Sequence, residues 1–273
     1  MKLALKIDIA TDRGTREGMP QLAALLERHG ARATFLFTLG LHHFLGRSWL
    51  PGTDLGRRFA GVMRSIHAAG FETGIHAFDP AKWLRKATHQ DAAWTRREME
   101  SAQSRYLGIF GEAARIHGAA GWQMNLHALR LTQRLGFLYC SDTRGSHPFL
   151  PVHNAEIGAC PQLPTTLPTL DELLASPGIT TDNVAAHLLQ LSSNPPPTGH
   201  VYTLCAENEG LKFKSVFAQL LDGWRALGYQ LVALGDYGGE LNRATLPYHN
   251  VVQGHVAGRT GTVALQGGEF LTY

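Results

Sequence analysis

Apolar residues run almost unbroken through LALKIDI (residues 3–9) and ATFLFT (33–38), the pattern of strands buried on both faces. Between them EGMPQLAALLERHG (17–30) repeats its apolar positions at helical spacing, with Pro20 in its first turn and Gly30 as its stop. The same alternation continues. A loop holding LGRSWLPG (45–52) leads to a helix over DLGRRFAGVMRSIHAAG (54–70), and FETGIH (71–76) is a short strand. Further helices are predicted over about residues 90–108 and over MNLHALRLTQRLG (124–136), with strands near RIHGAA (115–120) and FLYCSD (137–142). A proline-rich connection, CPQLPTTLPTLDELL (160–174), is followed by a helix over about 182–192 and the loop NPPPTG. The strand HVYTLCA (200–206), the helix KSVFAQLLDGWRALG (214–228) and the strand YQLVAL (229–234) complete the series.

About seven strands alternating with helices imply a parallel sheet covered by helices, either doubly wound or closed into a barrel. No G-x-G-x-x-G follows the first strand and no G-x-x-x-x-G-K-[ST] occurs, which removes the usual phosphate cradles and favours a barrel. No repeat at a fixed period and no linker divides the 273 residues, so residues 1–273 read as one domain.

Composition narrows the setting. The chain is 44% hydrophobic and 17% charged, as expected of a soluble globular protein. Lys and Arg (25) exceed Asp and Glu (22) by only three and are scattered, so nucleic acid is not an expected partner. No apolar run reaches the roughly 20 residues that span a bilayer. Lys6 and Asp8 interrupt the N-terminal apolar run before a signal core could form, and the expected location is the cytoplasm. Cys140, Cys160 and Cys205 are far apart and lack a C-x-x-C spacing, so reduced thiols are expected.

Catalytic groups of a parallel barrel sit at the carboxyl ends of its strands. That criterion selects Asp8 and the loop TDRGTREG with Arg13, Arg16 and Glu17; His76 and Asp79; HGAAGW with Trp122; SDTRG with Asp142 and Arg144; and CAENEG with Cys205, Glu207 and Glu209. A carboxylate inside KIDI is costly to bury without a partner, which makes Asp8 a candidate beyond a simple turn cap. His76 is either a satisfied core histidine or a ligand or acid/base group. Asp142 and Arg144 either pair across a turn or touch substrate. Glu207 and Glu209 would point the same way on an extended strand end. Cys205 is more often a small buried hydrophobe than a nucleophile. His42, His43, His127 and His187 read as surface or packing residues.

The stretches KIDIATDRGTREG, GIHAFD, AAGW, YCSDTRG, LPTTLPTLDE, VYTLCAENEG and VVQGHVAGRTG occur in an order that resembles the polysaccharide deacetylase superfamily. More narrowly, they look like its 4-deoxy-4-formamido-arabinose-phosphoundecaprenol deformylase branch, over about residues 3–261. The resemblance implies a distorted (β/α)7 TIM-like barrel that hydrolyses a linear amide, N-acyl or N-formyl, on an amino sugar. It also implies a divalent, zinc-like metal held by an Asp and two His, whose bound water attacks the amide carbonyl. The substrate would be an amino-sugar or sugar-phosphate small molecule, lipid-linked in that branch.

Carried over residue by residue, the catalytic base falls on Asp8 and the first metal His on His76. The metal Asp falls on Ala10, the second metal His on Pro80, and the late-strand acid on Cys205. Asp8, Cys205 and Glu207 are therefore the catalytic candidates. Arg13, Arg16, Glu17, Trp122, Asp142, Arg144 and Glu209 are the substrate-binding candidates, and His76 is the retained metal ligand. With two of three ligands replaced, the metal is expected to bind weakly or not at all. Two functions compete: a hydrolase rebuilt from Asp12, Asp79, Glu207 or Cys205, and an inactive pseudoenzyme that binds a sugar or sugar phosphate. A scaffold for protein contacts has no feature in its favour.

Overall fold

The structure is a computed structural model that describes residues 1–43 and 50–271. Most of the loop expected at 45–52 therefore lies outside the described residues. The strands are β1 (Lys2–Ile9), β2 (Thr34–Thr38), β3 (Leu41–His43), β4 (Gly52–Asp54), β5 (Glu72–Ala77), β6 (Ile116–His117), β7 (Tyr139–Cys140), β8 (Leu150–His153), β9 (Glu156–Ile157), β10 (His200–Cys205), β11 (Gln230–Val232), β12 (Tyr248–Gly254) and β13 (Val263–Glu269). The helices are α1 (Met19–Arg28), α2 (Leu55–Arg58), α3 (Ala60–Ala68), α4 (Pro80–Lys86), α5 (Ala92–Phe110), α6 (Leu126–Arg134), α7 (Leu170–Leu174), α8 (Val184–Leu191), α9 (Lys214–Ala226) and α10 (Leu234–Gly238).

Seven parallel strands form one curled sheet in the order β10-β1-β2-β5-β6-β7, with β11 paired to the start of β1. The gap between β7 and β10 is spanned by the extended run 161–167. There Leu163 N–H donates to the Cys140 carbonyl, Cys140 N–H to Pro161, and Thr166 N–H to Val201. The proline-rich connection thus acts as a barrel stave without a strand's regular ladder, because Pro161 and Pro164 have no N–H to give. The strand order and the irregular stave give the distorted (β/α)7 barrel that the resemblance implies.

Alternation along the strands sorts residues into two cores. Ala4, Leu36, Ile116, Tyr139, Leu163, Val201 and Val232 fill the barrel interior. Leu3, Leu5, Ile7, Phe35, Phe37, Ile75, Cys140 and Tyr202 belong to the larger core between sheet and helices. Two elements depart from expectation. The helix predicted over 54–70 breaks at Phe59 into α2 and α3. Outside the barrel, β12 and β13 form an antiparallel ribbon that joins β8 and β9 in a four-stranded sheet.

Candidate active site at the barrel mouth

Asp8 lies one residue before the end of β1, directly beside Cys205 in the pairing with β10. Two positions earlier on the same face is Lys6, fully buried inside the barrel. Its ammonium donates to the Ser141 carbonyl at 3.0 Å, stands 3.7 Å from Asp8 Oδ1 and lies 5.2 Å from the centre of the Trp122 ring. Burial pulls the Lys6 ammonium below its usual range, while Asp8 opposes that shift. In the sequence Lys6 only interrupts an apolar run; its period-two relation to Asp8 is the signal of the pairing.

His76, one residue before the end of β5, faces the interior. Its Nδ1–H donates to the Gly118 carbonyl at 3.0 Å, which leaves Nε2 as the acceptor nitrogen. The same Nδ1 is 3.5 Å from Asp8 Oδ1. Burial lowers the His76 pKa, against the pull of the Asp8 carboxylate, so the ring is neutral near pH 7. Asp8 Oδ1 is buried and accepts no hydrogen bond. Asp8, His76 and Lys6 therefore form a close triad at the base of the mouth.

Other candidates are placed differently. Arg13, Arg16 and Glu17 occupy a surface turn after β1, where Arg13 and Arg16 both bond Glu17 and Arg16 also approaches Asp12. Asp142 and Arg144 do not pair with each other. Asp142 accepts from His117 Nδ1 at 2.7 Å, from Ala119 N–H at 2.8 Å and from Gln162 at 3.1 Å. Arg144 donates to Glu172 at 2.6 Å and to the Leu167 carbonyl at 3.0 Å. Trp122, expected on the substrate, is buried, with the Arg144 and Arg259 guanidinium carbons 4.8 and 4.6 Å from its ring centre. Arg259 and Glu172 were missed because they join this cluster only through the C-terminal ribbon and α7.

The two glutamates diverge. After β10 the chain coils at once, and 208–212 is helical rather than extended, so residues two apart no longer share a face. Glu207 stays half-buried at the rim, where it and Asp12 bias His42 toward protonation against the effect of burial. Glu209 turns inward, accepts the Cys205 N–H at 2.9 Å and lies 3.4 Å from the Tyr202 hydroxyl. Burial pushes its carboxyl up to about 8. It shapes the chain after β10. Burial, with Glu209 nearby, pushes the Cys205 thiol up to about 12, away from the thiolate a nucleophile needs.

Asp79 is also committed. It caps α4 by accepting the Lys82 N–H at 3.0 Å, and its other oxygen meets His43 at 3.0 Å and the Lys82 ammonium at 2.9 Å. Pro80 follows as the first residue of α4. Among the described residues, the one group of three or more His, Cys, Asp or Glu side chains whose donor atoms all lie within 4.8 Å of one another is His117, Cys140 and Asp142. It lies away from Asp8 and His76, on the other face of the sheet.

No protein-family model matches the chain. It is 31% identical over 250 residues to the "Probable 4-deoxy-4-formamido-L-arabinose-phosphoundecaprenol deformylase ArnD" of Shewanella sediminis (strain HAW-EB3), covering 81% of this chain and 80% of that protein. The chain belongs to that deformylase family, within the polysaccharide deacetylases. The fold agrees. The crystal structure of a "putative polysaccharide deacetylase from Mycobacterium smegmatis" superposes with a TM-score of 0.70 at 16% identity, covering 93% of this chain and 94% of that one. A mutant "CE4 family pseudoenzyme with restored enzymatic activity" superposes with a TM-score of 0.57 at 11% identity, covering 87% and 67%. At family level, deformylase membership makes this a hydrolase-type scaffold for a linear amide on an amino sugar. Among the described residues, no helix is long and apolar enough to cross a membrane.

Proposed function

We propose that the barrel mouth binds an N-formylated or N-acylated amino sugar, free or as a sugar phosphate, and that this copy does not run the deformylase family's metal-assisted hydrolysis. The observation that carries the reading is the donor set. At the three positions where the family holds its metal, only His76 offers a lone pair. The Ala10 methyl and the Pro80 ring offer none, and Pro80 serves to start α4. Of the three carboxylates offered as replacements, two are engaged elsewhere: Asp79 caps α4 with His43 and Lys82, and Asp12 approaches Arg16 and Arg58. That leaves only Glu207, at the rim, to add to His76, which is too few donors. One imidazole cannot offset a divalent cation's dehydration as three ligands do, so the family's metal does not fit these residues.

What remains suits recognition. Lys6 and neutral His76 hold the Asp8 carboxylate in place from inside the barrel through its buried Oδ1, and the side chain's remaining exposure at the mouth suits a donor such as an amide N–H or sugar hydroxyl. Arg13, Arg16 and Glu17 stand on the exposed turn after β1, suited to a phosphate or hydroxyls at the entrance. The lipid-linked form named for the Shewanella protein is one candidate. We further place residues 1–273 in one domain in the cytoplasm, a setting that suits three unbonded cysteines. A rebuilt hydrolase is the second reading, favoured by the Asp8 carboxylate, which keeps 15% exposure where the resemblance implies the base.

Formate or acetate release from N-formyl and N-acetyl amino-sugar phosphates tests both readings, with binding followed by calorimetry and zinc or cobalt supplied. Wild type should bind without release. The triple variant Ala10→Asp, Pro80→His, Cys205→His should gain metal and release acid. Chelator-sensitive release by wild type would overturn the proposal, and chelator-insensitive release lost in Asp8→Asn would establish the second reading.

A further inference from the structure

Strand alternation sends His117, Cys140 and Asp142 out of the barrel, opposite in direction to Ile116, Tyr139 and Ser141. Cys140 belongs to the outer core, and the His117 ring meets Trp83 of α4 and Phe137 before β7, with centroids 6.4 and 5.5 Å apart. Asp8 and His76 face the interior on the other side of the sheet. The outer group is thus a separate site, covered by α4 and by the segment before β7.

All three side chains are buried, and a fourth donor stands next to Cys140, though outside the 4.8 Å group and with its thiol on the Phe137 carbonyl. Cys160, carried by the stave segment, places its sulfur 3.4 Å from that of Cys140. Neighbouring ligands around a tetrahedral zinc stand roughly 3.3–3.8 Å apart, given metal bonds of about 2.0–2.3 Å. The two sulfurs already have that spacing, and the His117, Cys140 and Asp142 donor atoms lie within 4.8 Å of one another. The carboxylate is oriented as ligand carboxylates usually are: Ala119 N–H and Gln162 Nε2–H donate to its two oxygens. Gln162 also accepts the Asp142 N–H at 3.0 Å through its amide oxygen, which fixes the amide's orientation.

We propose that His117, Cys140, Asp142 and Cys160 form a closed structural site for a thiophilic divalent cation, zinc by ligand chemistry. Two thiolates, an imidazole and a carboxylate, with no open position and no solvent, match a structural rather than a catalytic zinc site. Binding requires each thiol to release its proton to solvent, the His117–Asp142 hydrogen bond to open and Cys160 to turn from the Phe137 carbonyl, so that all four side chains bring their donors to the ion. The cation would tie β6, β7 and the stave segment together where the sheet lacks a regular ladder. Zinc found in this protein would then say nothing about the mouth, so this inference stands apart from the function proposed above.

Cobalt is the probe. The purified, reduced chain is loaded with cobalt, desalted, and read for stoichiometry and for the visible and near-ultraviolet bands of tetrahedral thiolate coordination. Wild type and His76→Gln should each retain one equivalent with sulfur bands, and Cys140→Ser should lose both. Zinc should raise the Tm of wild type and leave that of Cys140→Ser unchanged. Should Cys140→Ser not fold, His117→Asn and a wild-type thiol titration replace it: three free thiols react without metal, and two become protected by zinc. No retained cobalt, cobalt without sulfur bands, or a single reactive thiol in the unreduced denatured chain, which would mean a Cys140–Cys160 disulfide, each overturns the site. Cobalt lost in His76→Gln but kept in Cys140→Ser would overturn it too, and with it the reading of a metal-free mouth.

Discussion

Glu209 shows how far a residue's role depends on the turn that follows it. An extended chain would have put it beside Glu207 at the mouth; the helical turn instead buries it under β10, where the carboxyl titrates at about 8. Below the ordinary carboxylate range the group carries its proton in both folded and unfolded chains. As pH rises the unfolded chain ionises first, so the folded state loses stability from about pH 4.5 until its own carboxyl ionises near 8. Glu209→Gln keeps an acceptor for the Cys205 N–H and removes the charge. Urea unfolding at pH 5 and pH 8 should therefore show a smaller decline for the variant than for wild type. An unchanged decline would place the titration elsewhere. Lys6 teaches the converse: a lysine in an apolar strand looks like noise in the sequence, yet the period of two ties it to Asp8.

At the level of elements, α4 explains how a family histidine could be replaced without loss of the fold. Pro80 at the first helical position lacks only an N–H that has no partner there, and its fixed φ suits the helix. Asp79 supplies the cap. Burial pushes its carboxyl up, but the Lys82 N–H and ammonium, with His43, outweigh burial and hold it below its usual value. Asp79→Ala should cost about 1–2 kcal/mol in urea unfolding at pH 7, while Asp79→Asn should recover most of the cap. Because the Asp79 carboxyl is held low, its contribution is present at neutral pH and fades on acidification, so the gap between wild type and Asp79→Ala should narrow toward pH 3. The sequence made the α4 cap hard to see, since an Asp-Pro pair after a strand reads equally as a turn. Long amphipathic elements such as α1, α5 and α9 were legible because several turns repeat one apolar stripe. The four-stranded sheet of β8, β9, β12 and β13 was not, since β8 and β9 are short, β12 and β13 are half exposed, and β12 pairs with β8 across about a hundred residues of sequence.

For the whole molecule, the parallel barrel followed from the βα alternation, whereas the identity of its closing stave did not: 161–167 has too many prolines to read as a strand and is fixed only by tertiary contacts. Besides the backbone bridges of Arg144 to Thr165 and Leu265, one carboxylate ties that region to the C-terminal ribbon. Glu172 of α7 accepts Arg144 at 2.6 Å and Arg259 at 3.1 Å through one oxygen, and the Thr169 N–H at 3.0 Å through the other. Both guanidiniums also lie over Trp122. Arg144 and Glu172 are buried, so removing the carboxylate leaves a cation stranded among apolar groups and a second one beside it. Glu172→Ala should cost about 3–5 kcal/mol, seen as a lower urea midpoint. Glu172→Gln, which keeps the acceptor but not the charge, should fall between. Arg259 is less buried and can regain water, so Arg259→Ala should cost less than Glu172→Ala. Because the three residues form one network, the double variant Glu172→Ala/Arg259→Ala should be less destabilised than the sum of its singles, by about 1 kcal/mol or more. Additive losses would mean that the Glu172 network adds nothing to the backbone hydrogen bonds of Arg144 with Ala264 and Gln266 that also join ribbon and barrel.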